Sequence, residues 1–241
     1  MNLKLKNMIR QDRKITTAAG LLYILGIIAG ILSISYAIDD PNYLAKASLA
    51  ANGVLMAAFF HLLMAPIYIG IAILLYPVLK KYDQWLAFGF AGFRIVAGVF
   101  IMVGVIFLML LLSLSQEFVK AGTPNISCFQ TMGVLLQTGR DLANHVATIL
   151  SVSISGLMFY LILFRTKLVP RWLSGWGLAG IPFAIAASLL FFFRAISVIT
   201  PMYLVLNIPM ALQEIVLAIW LIVKGFDPLS DMTSGRNHET N

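Results

Sequence analysis

Arg94 and Glu214 each stand inside a long run of apolar residues. A charge at the centre of a lipid-embedded helix costs about 2.5–3.5 kcal/mol on insertion scales unless it is paired or hydrated, so each marks a candidate site. Arg94 lies nine residues beyond Trp85, and Glu214 lies ten residues before Lys224. At about 1.5 Å per residue both fall roughly 14–15 Å from the same boundary. Opposite charges at matching depth predict a buried ion pair between the third and sixth apolar runs. Such a pair serves either as a clamp that fixes helix register or as a functional charge.

A second cluster opens the fourth run. Asp141 and His145 are four apart, which places them on one helix face, with Arg140 and Asn144 beside them. His61 stands in the second run, Arg194 ends the fifth, and Tyr203 and Asn207 open the sixth. These residues predict an outward-facing polar cavity in which Arg140 and Arg194 meet an anionic or polar group. His61, Asp141, His145 and Glu214 also carry the ligand chemistry of a zinc site, which makes an intramembrane metal-dependent hydrolase the alternative. A lone Asp-x-x-x-His falls short of the paired histidines and general base of a metalloprotease helix, so no metal or cofactor is assigned. The chain carries no nucleophile elbow, phosphate-binding loop or dinucleotide fingerprint, and no motif specifies an enzyme. Gly175, Gly177 and Gly180 lie beside tryptophans and read as packing. Cys128 is the one cysteine, so no intrachain disulfide is possible.

The elements that must position these groups follow from composition. Of the 241 residues 60% are hydrophobic and 11% charged, against about 25% charged in soluble domains. Apolar runs cover roughly residues 15–38, 52–79, 85–113, 142–164, 173–194 and 201–223. Each is long enough to cross a bilayer, and a backbone in lipid must satisfy itself, so each is a helix. None shows the strict alternation of a barrel strand. The fold class is therefore an all-α polytopic transmembrane helix bundle of six spans. The basic start resembles a signal peptide, but the run that follows is too long for one and reads as an uncleaved first span.

Basic residues set the orientation. Five precede the first run, two lie between the second and third, three between the fourth and fifth, and two follow the sixth: twelve of the 17. That side is expected to be the cytoplasm, giving N-in and C-in in the cell membrane. All four tryptophans, at 85, 172, 176 and 220, fall near its boundaries. The net charge of +7 reads as this bias and as attraction to anionic lipids at the cytoplasmic face, not as a nucleic-acid surface.

The domains read as a basic N-terminal segment 1–14, a transmembrane domain 15–226 and a polar tail 227–241. The connection 114–141 is expected outside, with a short interfacial helix around Phe129, Met132, Leu135 and Leu136. Gly26 and Gly30, and Ser151 and Ser155, are small residues four apart that suit close helix packing. Pro66, Pro182 and Pro209 predict kinks.

The segments LVPRWLSGWGLAG (168–180), QEIVLAIWLIVKGF (213–226) and GFRIVAG (92–98) together resemble the bacterial multi-pass membrane family known as domain of unknown function 4386. The resemblance runs from about residue 13 to 226. It implies a bacterial membrane protein and no particular activity. The residues themselves favour a non-enzymatic protein that binds, senses or moves a small polar or lipid-like ligand. A packing or partner subunit without ligand is a further alternative.

Overall fold

A computed structural model describes residues 3–122, 126–198 and 200–227. Eight α-helices are present among them: α1 (Leu3–Leu32), α2 (Tyr43–Leu49), α3 (Ala51–Leu79), α4 (Gln84–Ala121), α5 (Ile126–Asp141), α6 (Ile149–Thr166), α7 (Arg171–Phe192) and α8 (Pro201–Val223). A π-helical turn, Leu142–Thr148, joins α5 to α6 without a break. Six helical stretches are long and apolar enough to span: Arg10–Leu32, Ala51–Leu79, Gln84–Ala121, Ile126–Thr166, Arg171–Phe192 and Pro201–Val223. The protein is a polytopic transmembrane helix bundle. Its outer surface is made of residues such as Leu21, Ile31, Ile73 and Phe88, each more than half exposed. A bilayer solvates that surface where water would not.

The spans close a ring. α1 packs on α3, α3 on α4, α4 on α6, α6 on α7, α7 on α8, and α8 returns to α1. The α1–α8 seam is tight at Gly20, where a β-carbon would lie 2.8 Å from the Ala218 carbonyl oxygen. Gly26 and Gly30 face α3 instead, meeting Ile67 and Met64 at ordinary or slightly close contact. Ser155 is fully buried on the α4–α6 seam and donates to the Phe90 carbonyl at 2.8 Å.

One end of the ring is basic. Arg13 Nη2 donates to the Ile222 and Val223 carbonyls at the end of α8, and Lys81 pairs with Asp12 at 2.7 Å. Arg13 thereby satisfies carbonyls left open by the last turn of α8. At the far end α4 outruns its expected limit and α5 folds back along it. The short helix α2, which lies between the first two spans, is pinned to α4 by Ser115 Oγ donating to the Leu44 carbonyl at 2.6 Å. The first span ends at Leu32, six residues short of its expected limit. The tail 228–241 lies outside the described residues.

The apolar core is split in two. One cluster, around Leu75, Phe90, Phe159, Leu163 and Leu217, fills the basic end. The other, around Tyr43, Val54, Leu108 and Leu111, fills the far end.

Candidate functional site

Arg94 stands at the edge of the cluster that fills the basic end, over the Tyr23 ring. It projects from α4 with 3% exposure. Its guanidinium carbon sits 5.2 Å from the centre of the Tyr23 ring on α1 and 4.7 Å from that of Tyr68 on α3. A weakly hydrated, planar cation is suited to such stacking. The Arg94 Nε atom is buried without a hydrogen-bond partner. Arg94 shares a cavity of about 140 Å³ with Glu214 from α8, Tyr23, Tyr68 and the open faces of Gly26 and Gly30. The two charges expected to pair are thus brought into one cavity. They are not in direct ion-pair contact among the described residues, whose ion pairs all lie elsewhere. Next to Glu214 in sequence, Gln213 is fully buried. It accepts from the Tyr160 hydroxyl at 2.6 Å and donates to the Leu173 carbonyl at 3.2 Å. Gly177 makes room for that tyrosine, since a β-carbon there would lie 2.6 Å from its ring.

Within the second cluster, hydrogen bonds join Arg140 to two carboxylates and His145 to Tyr203. Arg140 Nη2 donates to Asp39 at 2.6 Å, and its Nε donates to Asp141 at 2.8 Å. With two carboxylates on one guanidinium, Arg140 is not open to an incoming anion in the way its position suggests. His145 Nδ1 lies 2.9 Å from the Tyr203 hydroxyl, and the Asn207 amide donates to the Tyr203 carbonyl at 2.8 Å. Ser188 Oγ donates to the His145 carbonyl at 2.8 Å. His61, on α3, stands within electrostatic reach of Arg140 and His145.

Asn144 lies in the π-turn, where Thr148 Oγ1 reaches back five residues to the Ala143 carbonyl. A β-carbon at Gly104 would collide with the Asn144 side chain, whose oxygen is buried without a partner. Arg194 is exposed, adopts a left-handed backbone (φ 57°), and with Asp141 is among the residues lining an open cavity of about 700 Å³ at the far end. Of the eight residues expected to line one cavity, only Asp141 and Arg194 line this one.

The four alternative metal ligands are not assembled. Glu214 lines the central cavity, Asp141 bonds Arg140, and His145 bonds Tyr203. No group of three or more His, Cys, Asp or Glu side chains among the described residues has metal-binding geometry.

Sequence reasoning missed Tyr23, Tyr68, Asp39, Tyr160 and Gln213. A signal for the first two was present. Tyr23 lies nine residues past Lys14 and Tyr68 twelve before Lys80, too deep for an interfacial belt.

Comparison with known proteins gives one match. A family model described as a domain of unknown function (DUF4386) matches residues 18–225. No curated protein and no solved structure matches the chain.

Proposed function

The chain belongs to the family described as domain of unknown function 4386, and from that premise we propose that this six-span membrane protein binds, senses or moves a small polar ligand between Arg94 and Glu214. The observation that carries this reading is the buried Arg94 Nε without a partner, in a cavity shared with an acidic side chain. Two opposite charges in low dielectric, held apart, are stabilised by whatever bridges them. The ligand therefore presents an acceptor or anionic group to Arg94 and a donor or cationic group to Glu214. A volume of about 140 Å³ holds roughly four or five waters at about 30 Å³ each, so the ligand is small. The site thus moves inward from the far-end cluster, where Arg140 is already neutralised. We place the protein in the cell membrane with both termini in the cytoplasm, on the strength of its basic end.

Thermal unfolding in detergent with glycine and acetamide as probes tests the reading. Glycine offers both charges at this size, and acetamide offers a neutral donor and acceptor. A ligand at a hundred times its Kd adds about 2.7 kcal/mol to stability. Stabilisation by a probe in the unmodified protein, lost in Arg94→Met and in Glu214→Gln, supports a ligand site. No stabilisation by either, or an equal effect in the variants, overturns it. The two tyrosine rings on Arg94 favour a second reading, a clamp joining α1, α3 and α4. A clamp gives two destabilised variants and no probe effect.

A further inference from the structure

The two segments that carry the family resemblance most specifically, 168–180 and 213–226, meet at the basic end of the ring. α6 ends in a left-handed turn at Lys167 (φ 59°). Leu168 and Val169, each 2% exposed, anchor the turn in the core, and Pro170 leads into α7. After α8 the chain turns at Gly225 (φ 72°), where a β-carbon would lie 2.6 Å from Arg13 Nη1. It then crosses the turn, with the Asp227 amide donating to the Leu168 carbonyl at 2.9 Å. These constraints enclose an open cavity of about 600 Å³.

The chemistry of its wall is one-sided. Lys167, Arg171 and Lys224 line it, with the half-buried Trp220 beside them and Asp227 as the acid among its lining residues. Neither lysine engages a carboxylate among the described residues, and Arg171 lies over the Phe164 ring at 5.5 Å. Arg13 already satisfies the carbonyls at the end of α8, and among the described residues none of the three cations forms an ion pair. Ammonium groups and a fork-shaped guanidinium converging beside a tryptophan at a membrane boundary match a phosphoryl group at headgroup level. Basic pockets between transmembrane helices recognise anionic headgroups by the same means.

We propose that this cavity is a binding site for the phosphoryl headgroup of an anionic phospholipid, held by Lys167, Arg171 and Lys224. The site is separate from the Arg94–Glu214 cavity and stands whether or not that cavity takes a ligand. It also differs from a general attraction of basic residues to anionic lipid, because it depends on three particular cations.

The full chain in neutral detergent is titrated with phosphatidylglycerol, phosphatidylcholine or inorganic phosphate, with bound lipid counted by native mass spectrometry and melting followed in parallel. Two triple variants are compared: Lys167→Gln with Arg171→Gln and Lys224→Gln, and a matched control, Lys14→Gln with Lys80→Gln and Arg165→Gln. All six residues are exposed, so both variants are expected to fold, and circular dichroism with gel filtration verifies it. The expected result is retention of phosphatidylglycerol over phosphatidylcholine in the unmodified protein and the control, reduced at least tenfold in the pocket variant. Equal retention by both triple variants overturns the proposal, as does equal binding of the two lipids. Phosphate that raises the melting point in a pocket-dependent way, with no lipid retained, shows a soluble phosphoryl source and overturns the lipid assignment. If the pocket variant fails to fold, Lys224→Gln alone, expected to lose at least threefold in retention, decides the matter.

Discussion

At the scale of residues, Arg94 and Glu214 carry opposite charges into one small cavity beside the apolar cluster of the basic end. Removing one leaves the other uncompensated, and breaking a buried pair costs about 3–5 kcal/mol. Here the charges face a shared cavity without direct contact, so solvent or ligand carries part of that coupling. Arg94→Ala and Glu214→Ala are each expected to lower the unfolding free energy in mixed micelles by about 2–4 kcal/mol, toward the lower part of that range. The double variant should lose less than the sum. Strict additivity would mean that the two do not sense each other. Arg94→Lys is expected to recover only part of the loss, because an ammonium cannot stack its plane on Tyr23 and Tyr68; full recovery would remove the stacking account. Depth counting from the boundaries made this juxtaposition legible in the sequence. The tyrosines escaped notice because mid-span aromatics look like ordinary lipid-facing bulk until the helices are placed. The pairing of Arg140 with Asp39 was equally hidden, since Asp39 lies in a turn a hundred residues away.

At the scale of elements, the six spans were legible because a run of some twenty apolar residues has few alternatives in lipid. The extensions of α4 and α5, the docking of α2 and the π-turn were not. These depend on tertiary contacts such as Ser115 with Leu44, which no local period encodes. The π-turn carries a test. At Gly104 an added methyl would collide with the Asn144 side chain. Gly104→Ala is expected to destabilise the protein by about 1–3 kcal/mol, as overpacking typically does. The cost should largely vanish in the Gly104→Ala, Asn144→Ala double variant when compared with Asn144→Ala alone. Gly92, also mid-helix in α4, meets nothing within 4 Å. Gly92→Ala should therefore stabilise by about 0.5–1 kcal/mol through helix propensity alone. If thermal melts show the two substitutions moving stability alike, the close approach of Asn144 to α4 is wrong.

At the scale of the whole molecule, the ring has unlike ends. At the far end Lys46 pairs with Asp40, Lys120 with Glu117, and Arg140 with Asp39 and Asp141. At the basic end Lys167 and Lys224 line an open cavity and pair with no carboxylate among the described residues, so their charge is available to an anionic leaflet. Lysine and arginine in short loops set orientation. The basic end is therefore expected in the cytoplasm, and the α4–α5 hairpin outside. Cys128 makes the expectation testable without mutation, being the chain's single thiol and exposed. It lies three residues into α5, beside the tip of the hairpin. From Trp85 at the boundary, α4 climbs for 37 residues to Ala121, about 55 Å at 1.5 Å each. A hydrocarbon core of about 30 Å leaves the tip roughly 25 Å beyond it. A membrane-impermeant maleimide should label Cys128 in intact cells, and permeabilising the cells should add little. A green fluorescent reporter fused after Asn241 should fluoresce, since an even number of spans returns the chain to the cytoplasm. Labelling that requires permeabilisation, with a dark reporter, would invert the molecule. Labelling from outside together with a dark reporter would leave the ends on one side and refute six spans.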